Sequence, residues 1–274
     1  MSGEFKVRDY WESRLKQDYS LQGVGYKRLG KQYNKWMYRL RAHVFQRVVR
    51  GLGADWSNAR VLDVGSGTGF YVDQWHKLGV PKVVGLDITE VAVHALRQRF
   101  TGDQFHQADV GRELPSPVTR LVTPGGAAPG GFDAVSAMDV LFHIVDDGDY
   151  ARAFRNIASL LRPGGWFIWS DNFLRHETER VMHQVSRPLE ESEPAVRAAG
   201  FEIVDRRPMF VVMNYPADSK SKLARLGWTA MVAPAALGEP LGWVVGGLLY
   251  PVDLVLTGML KESPSTEVML CRKA

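Results

Sequence analysis

The stretch VLDVGSGTGF at residues 61–70 constrains the fold of this chain more than any other. Its aliphatic residues predict a buried strand, and Gly65, Gly67 and Gly69 follow directly, each two residues from the next. Glycine permits positive φ and leaves no Cβ in the path of a ligand that approaches the backbone. A glycine-rich turn from strand to helix at the carboxyl edge of a parallel sheet is a usual nucleotide site. The motif therefore predicts a strand–turn–helix unit that holds a nucleotide-like ligand.

The spacing of these glycines indicates which nucleotide-like ligand to expect. G-x-G-x-G differs from the dinucleotide fingerprint G-x-G-x-x-G, and the Gly-Lys-Ser/Thr of a phosphate-binding loop is missing. Asp63 precedes the first glycine by two residues, and its carboxylate would repel a phosphate but attract a cationic group. We expect an adenosine-like ligand without phosphates.

Two further carboxylates follow the next two predicted strands. Asp87 ends KVVGLDI, where a carboxylate can accept from both hydroxyls of a ribose. Asp109 ends QFHQAD, where it can accept from an adenine amino group. Each acid taken singly is also explained as a helix cap, Asp87 before Thr89 above all. Three acids at three successive strand ends favour a shared ligand.

The rest of the chain alternates strand-like and helix-like segments, which is typical of a parallel sheet covered on both faces. We expect an α/β fold with a Rossmann-like, seven-stranded, mostly parallel sheet and helices on both faces. An N-terminal helical lid and a helical insertion before the last strand complete it. The Gly- and Pro-rich residues 111–131 indicate a flexible surface loop. The predicted boundaries are 1–52 for the lid, 53–214 for the core, 215–264 for the insertion and 265–274 for the last strand.

These motifs together resemble one known family. VLDVGSGTGF, GLDIT, QAD, FDAVSAMDVLFHI and LRPGGWFIWSD are similar to the motifs of class I S-adenosylmethionine-dependent methyltransferases. The resemblance covers roughly residues 58–175, and it is specific for the fold and the cofactor but not for the substrate. It implies an enzyme that uses S-adenosyl-L-methionine and releases S-adenosyl-L-homocysteine.

The resemblance also implies how the cofactor is held. The glycine turn would pack against its methionine part, Asp87 would bind the ribose, Asp109 with Ala108 or Val110 would bind the adenine, and Met138 would lie close by. The predicted cofactor-binding residues are Asp63, Gly65, Gly67, Gly69, Asp87, Ile88, Asp109, Val110, Met138, Tyr26 and Tyr33.

Methyl transfer to an oxygen needs an aligned nucleophile and removal of its proton. His143 follows the fourth strand by a few residues, and its ordinary pKa near 6.5 suits a general base, although a structural histidine is the alternative. Asp139 and Asp171 are expected either to orient His143 or to bind substrate hydroxyls. With His143 or Asn172 they could instead hold a divalent metal through oxygen ligands. We do not favour a metal, because no tight ligand spacing is visible.

The residues that would cover the site are mainly aromatic. Residues 23–41 interleave aromatic and basic side chains, which favours a lid closed by Tyr26 and Tyr33, although nucleic-acid surfaces share this pattern. His176 and His183 are seven apart, so on a helix they would share a face, most simply a solvated one. The insertion offers aromatic residues for a pocket wall, a dimer contact or core packing: Trp228, Trp243 and Tyr250.

The longest apolar stretch, residues 241–260, is close to membrane-span length. Pro251 and Asp253 fall near its middle, and a charge within a span is costly. We expect a buried helix, a pocket wall or a subunit contact, with attachment to a membrane surface as the alternative and no stable insertion.

Charge, motifs and cysteine content indicate which kind of partner and which cellular compartment to expect. The net charge of +4 comes without a dense Lys/Arg block. After the fourth strand the chain has SAMD, where methyltransferases that act on nucleic-acid bases usually have a block resembling Asn/Asp-Pro-Pro-Tyr/Phe. No nucleic-acid partner is therefore favoured. Cys271 is the one cysteine, and the N-terminus lacks the apolar core of a signal peptide, so we expect a cytoplasmic protein.

The sequence thus predicts O-methylation of a small-molecule or saccharide hydroxyl with His143 as the base, and leaves a homodimer open. Three rivals remain: a membrane-associated lipid or quinone methyltransferase, a nucleic-acid methyltransferase, and a protein that binds S-adenosylmethionine without catalysis.

Overall fold

A computed structural model describes residues 5–274 of the chain. Its centre is a seven-stranded sheet, and a two-stranded hairpin stands apart from it. The strands are β1 (Val61–Val64), β2 (Val83–Asp87), β3 (Gln104–Gln107), β4 (Phe132–Met138), β5 (Leu161–Asp171), β6 (Glu179–Val181), β7 (Gln184–Ser186), β8 (Phe201–Pro208) and β9 (Glu267–Lys273).

The order of the main sheet is β3-β2-β1-β4-β5-β9-β8. Strands β1 to β5 pair in parallel, whereas β9 runs antiparallel to both β5 and β8. The predicted seven-stranded, mostly parallel sheet is confirmed. Because β2 and β4 flank β1 on opposite sides, the strand order reverses at β1, and ligands bind in the crevice at such a point.

Helices cover both faces of the sheet and add an N-terminal pair and a C-terminal insertion. Several begin at capping side chains: the Thr89 hydroxyl accepts from Ala92 N–H, and the Asp146 carboxylate accepts from Asp149 N–H. The helices are α1 (Val7–Gln17), α2 (Gly30–Gly51), α3 (Phe70–Lys77), α4 (Glu90–Arg99), α5 (Ser116–Thr119), α6 (Asp147–Leu160), α7 (Leu189–Ala198), α8 (Lys222–Val232) and α9 (Glu239–Met259).

The core consists of two apolar clusters. One contains Phe45 of α2 and Trp75 of α3, and the other contains Phe154 of α6 and Trp169 of β5, all of them buried. Strand β1 contributes to both, because successive side chains point to opposite faces of a sheet. Burial on both faces explains why β1 is a continuous apolar run around Asp63.

The structure corrects two local expectations. His176 and His183 do not share a helix face: His176 lies in the loop before the β6–β7 hairpin, and His183 lies in its turn. Residues 111–131 are more than a surface loop, since they form α5 and a short 3-10 turn and bury Val118 and Leu121 in the core. Apolar residues at those positions bring the Gly/Pro-rich segment back onto the sheet.

Candidate functional site

The glycine turn between β1 and α3 has the predicted conformation. Gly65, Gly67 and Gly69 have φ values of 70°, 50° and 79°, a region that side-chain-bearing residues rarely adopt. A Cβ on Gly65 would collide with Val140, and one on Gly69 would approach Phe100 to 2.5 Å. A Cβ on Gly67 would make only ordinary contact, 3.7 Å from a methyl group of Val24, and the residue lines a cavity. Two of the glycines are thus required for packing, while Gly67 leaves room for a ligand.

Asp87 fastens this turn to the end of β2. Its Oδ2 accepts from Gly67 N–H at 2.8 Å, while Oδ1 accepts from the N–H and the hydroxyl of Thr89 at 2.9 and 2.7 Å. Burial raises the pKa of this carboxyl, and the bonds from Thr89 and Gly67 oppose the shift. Oδ1 thus uses both of its lone pairs, whereas Oδ2 keeps a second one, so Asp87 can still accept from a ligand hydroxyl through Oδ2.

Asp109 stands at the end of β3 beside the same cavity. Its Oδ1 accepts from Gly111 N–H at 2.9 Å, which fixes the carboxylate at the strand end. Ile88 and Val110 also line the cavity and supply apolar surface beside the two acids. Carboxylates next to apolar walls suit an adenosine, which combines hydroxyls, an amino group and a flat ring.

Asp63 lies beneath the glycine turn and does not line the cavity. Its Oδ1 accepts from the Ser136 hydroxyl at 2.6 Å, and burial raises the pKa of the carboxyl to about 7. Its buried Oδ2 has no hydrogen-bond partner within residues 5–274. A buried carboxylate with a free oxygen favours a cation or a donor nearby.

One cavity of about 1070 Å³ joins these elements to the N-terminal helices and the insertion. Most of the sequence-predicted residues line it: Gly65, Gly67, Asp87, Ile88, Asp109, Val110, Met138, Tyr26, Asp139 and His143. Four do not: Asp63, Gly69, Tyr33 and Asp171.

His143 sits in a 3-10 turn after β4, surrounded by aromatic rings. Its ring centroid lies 4.8 Å from that of Trp11 and 4.4 Å from that of Phe142. Nδ1 lies 2.8 Å from the carbonyl oxygen of His183, and since a carbonyl only accepts, Nδ1 carries the proton. Nε2 of the neutral ring then carries the lone pair. Burial lowers the pKa of His143 to about 4, so the ring is neutral at pH 7.

Asp139 directly follows β4 with a φ of 59°, a left-handed conformation that is uncommon for any residue but glycine. Its N–H donates to the Ser170 hydroxyl at 2.8 Å, and that hydroxyl donates to Asp139 Oδ1 at 2.9 Å. Oδ2 forms an ion pair with Arg41 of α2. The expectation that Asp139 or Asp171 orients His143 is corrected, because the His183 carbonyl does so.

Asp171 and Tyr33 are buried away from the cavity. Burial raises the pKa of Asp171 to about 7, and its Oδ1 accepts from Asn172 N–H at 2.6 Å. The Tyr33 hydroxyl donates to the carbonyl of Met213 at 2.8 Å, which ties α2 to the segment after β8. The structure brings Asn172 to the cavity instead of its neighbour Asp171.

Arg41 is a cavity residue that the sequence reasoning missed. Its guanidinium lies 5.4 Å from the Tyr38 ring centroid and 4.8 Å from that of Phe210, and the side chain is 11% exposed. Within the described part of the chain its Nε has no hydrogen-bond partner. A buried guanidinium with a free donor suits a carboxylate ligand. The amphipathic pattern of α2 gave no signal that Arg41 alone would turn inward.

The N-terminal segment covers the cavity. Trp11 and Arg14 of α1 line it, and Arg14 donates to the carbonyls of Gly23 and Gly25 at 2.5 and 2.6 Å. The Tyr19 hydroxyl donates to the Gly67 carbonyl at 2.8 Å and thereby joins the lid to the glycine turn. Tyr26, which the sequence predicted, is present in this wall, and Trp228 of α8 closes another side.

Across residues 5–274 no group of three or more His, Cys, Asp or Glu side chains is arranged to hold a metal ion. The side chains at the cavity do fit an adenosine with a cationic and a carboxylate end. Gly67 would let such a ligand lie close to the backbone. Asp87 and Asp109 would accept hydrogen bonds from its hydroxyls and amino group, and Arg41 would pair with its carboxylate.

Comparison with known proteins finds similarity to methyltransferases. Residues 61–165 match the family described as "Methyltransferase domain". Ubiquinone biosynthesis O-methyltransferase of Albidiferax ferrireducens is 32% identical over 116 residues, which is 40% of this chain and 40% of that protein. The enzyme of the same name from Thiobacillus denitrificans is 31% identical over 111 residues, 40% of this chain and 43% of the relative. The alignments thus span about two fifths of the relatives' length.

Solved structures agree on the fold. A putative sarcosine dimethylglycine methyltransferase from Galdieria sulphuraria superposes with a TM-score of 0.52 at 16% identity, covering 86% of each chain. The [4+2]-cyclase SpnF superposes with a TM-score of 0.50 at 21% identity, covering 83% of this chain and 80% of that one. At these identities the likeness shows the fold alone, and the cyclase shows that one fold carries different reactions.

Proposed function

We propose that this chain, whose residues 61–165 match the family described as "Methyltransferase domain", uses S-adenosyl-L-methionine to O-methylate a hydroxyl on a small aromatic molecule, with His143 as the general base. The observation that carries the proposal is the arrangement of His143 in the cavity. Its Nδ1–H donates to the His183 carbonyl at 2.8 Å, which leaves a basic Nε2 in a cavity shared with the glycine turn.

The cofactor would supply an electrophilic methyl group on a sulfonium. The glycine turn, Asp87 and Asp109 would bind and orient it, and Arg41 would pair with its carboxylate. In-line transfer depends on alignment of the acceptor oxygen with that methyl group, and rigid walls provide such alignment.

His143 would take the proton of the acceptor hydroxyl at Nε2. The His183 carbonyl would hold the ring in the reactive tautomer and stabilise the cation that forms. Because burial lowers the pKa of His143 to about 4, the ring is unprotonated at neutral pH and free to take a proton, but it is a weak base. A phenolic hydroxyl is more acidic than that of a sugar, so an acceptor with a phenol suits this base better.

The walls next to His143 also favour an aromatic acceptor over a saccharide. Trp11 and Phe142 contact its ring, and Ile144 and Val145 continue the apolar surface of the cavity. Aromatic side chains pack well on flat rings. The name of the curated relatives, ubiquinone biosynthesis O-methyltransferase, supports the same acceptor class.

The test is transfer of a labelled methyl group from S-adenosylmethionine to separate pools of phenolic metabolites, glycosides, and RNA or DNA, with and without EDTA. We expect label in the phenolic pool, undiminished by EDTA. Label confined to nucleic acid would refute the acceptor class, and loss with EDTA would refute a metal-free base. No transfer to any pool, with S-adenosylmethionine bound, would favour binding without catalysis.

A further inference from the structure

Helix α9 exposes an apolar face that no other described part of the chain covers. Its outward residues recur every three or four positions, which places them on one side of a helix, and their exposed fractions run from 42% to 76%. They are Leu241, Val244, Leu248, Val252, Val255 and Met259. An exposed helix face in a globular protein is normally polar, so this face calls for an apolar partner.

The preceding elements expose further apolar residues. Leu223 and Leu226 of α8 and Leu237 of the following 3-10 turn are 82%, 65% and 80% exposed, and that turn packs against both α8 and α9. Neither charge of α9 lies on its exposed apolar face. Glu239 accepts from two N–H groups at the start of α2, and Asp253 is buried.

The opposite face of α9 is fixed to the protein. Gly242 and Gly246 permit close contact with α2, and the Asp253 carboxylate accepts from the N–H groups of Val211, Val212 and Met213 at 2.8, 2.9 and 3.0 Å. Within residues 5–274, α9 is the helix long and apolar enough to cross a membrane, yet its anchored face and internal carboxylate suit a helix that lies along a surface.

A row of cations runs beside this face. Helix α2 lies parallel to α9, with Lys31 N–H donating to Glu239 at one end and Arg47 donating to the Thr257 carbonyl at the other. Lys31, Lys35 and Arg39 are exposed and spaced four apart, so they form one line along α2. Trp243, 46% exposed, packs on Trp36 between the cations and the apolar face, as aromatic residues do at membrane interfaces.

We propose that this chain docks on the surface of an anionic phospholipid bilayer through the exposed apolar face of α9. The aliphatic side chains enter the boundary of the acyl chains, and the cations of α2 meet lipid phosphates. A second copy suits the face less well, because a two-fold contact would bring two rows of like charge together. The docking requires no methyl transfer.

The test is flotation of the full chain with phosphatidylcholine vesicles, with or without phosphatidylglycerol. We expect flotation only with the anionic vesicles. Val252→Glu should reduce the bound fraction roughly tenfold, because a carboxylate is unfavourable in the interface. Val204→Glu on β8 is the matched control, because Val204 and Val252 are similarly exposed, at 49% and 48%. Since Val204 lies outside the apolar face of α9, this variant should bind as the unaltered chain does. The double variant Lys31→Gln/Lys35→Gln should bind the anionic vesicles more weakly, and its binding should depend less on salt.

Sedimentation and thermal unfolding of the same variants separate docking from other causes. Unchanged unfolding temperatures with selective loss in Val252→Glu support the proposal. Absence of flotation by the unaltered chain, equal loss in Val204→Glu, or a dimer that Val252→Glu dissociates without any vesicle binding would each overturn it.

Discussion

His143 is the side chain on which the proposed chemistry depends. His143→Ala should lower kcat by about 10² to 10⁴, the usual contribution of a positioned general base, while the Kd of S-adenosylhomocysteine stays the same. His94→Ala, on the exposed side of α4, is the matched control and should keep full activity. Steady-state kinetics with calorimetry measure both quantities. Full activity in His143→Ala would show that another group removes the proton.

The lowered pKa of His143 should set the pH at which activity is lost on the acid side of the pH profile. The neutral form is the base, and burial lowers its pKa to about 4, below the ordinary 6.5. Activity should therefore persist below pH 6.5 and be lost as the pH falls through the lower value. The pH dependence of kcat/KM measures this. A limb at pH 6.5 that vanishes in His143→Ala would show an unperturbed histidine instead.

Asp87 belongs to binding rather than to the chemical step. Asp87→Ala should weaken S-adenosylhomocysteine roughly 10- to 100-fold, because hydrogen bonds to a charged group contribute about 1.5–3 kcal/mol each. The mutation also frees Gly67 N–H and Thr89, so part of the loss comes from the turn. Asp55→Ala, at an exposed residue outside the cavity, is the control. Unchanged affinity in Asp87→Ala, measured by calorimetry, would contradict this assignment.

At the scale of elements, the glycine turn joins a strand, a helix and the cavity. Gly67 and Gly53 have φ values of 50° and 65°. A Cβ on Gly67 would make only ordinary contacts, the nearest at 3.7 Å to Val24, and one on Gly53 would meet nothing within 4 Å. Gly67→Ala and Gly53→Ala should each lose about 1 kcal/mol of stability from the left-handed backbone. Only Gly67→Ala should weaken the cofactor, since Gly53 lies outside the cavity. Equal cofactor affinities would indicate that the turn does not face the ligand.

One buried carboxylate, that of Asp253, helps to hold the insertion to the core. Asp253→Ala would leave three N–H groups without their acceptor, at a cost of about 3 kcal/mol or more. Chemical denaturation should show this loss, whereas Glu262→Ala, at an exposed residue, should change stability by less than about 1 kcal/mol. A small effect at Asp253 would mean that α9 is held mainly by its contacts with α2.

For the whole molecule, the cofactor should join the N-terminal lid, the sheet and the insertion in one unit. S-adenosylhomocysteine at about 100 times its Kd should stabilise the fold by about 2.7 kcal/mol, seen as a higher Tm. We expect no shift from ATP at the same concentration, because the glycine turn lacks the Gly-Lys-Ser/Thr of a phosphate-binding loop and the Asp87 and Asp109 carboxylates line the cavity beside it. The shift should persist in His143→Ala and shrink in Asp87→Ala. An equal shift with ATP would contradict a phosphate-free ligand.

Site residues that lie beside predicted strands could be predicted, whereas a residue whose role depends on contacts distant in sequence could not. Gly65, Gly67, Asp87 and Asp109 lie in or directly after predicted strands, and parallel strands bring their carboxyl ends to one edge. Arg41 was missed because its role comes from contacts with Asp139 and Phe210, residues almost a hundred or more positions away. The roles of the individual site residues stay predictions.

Local patterns in the sequence were enough to predict the seven-stranded fold, the glycine turn, the strand-end acids and the position of His143 after β4, because strand pattern and turn chemistry act over a few residues. The contact of His143 with the His183 carbonyl, and the burial of Tyr33 and Asp171 away from the cavity, became visible in the three-dimensional structure. The same is true of α9, which turns Asp253 inward and its aliphatic residues outward. Those outcomes depend on packing between segments far apart in the chain, which no local pattern encodes.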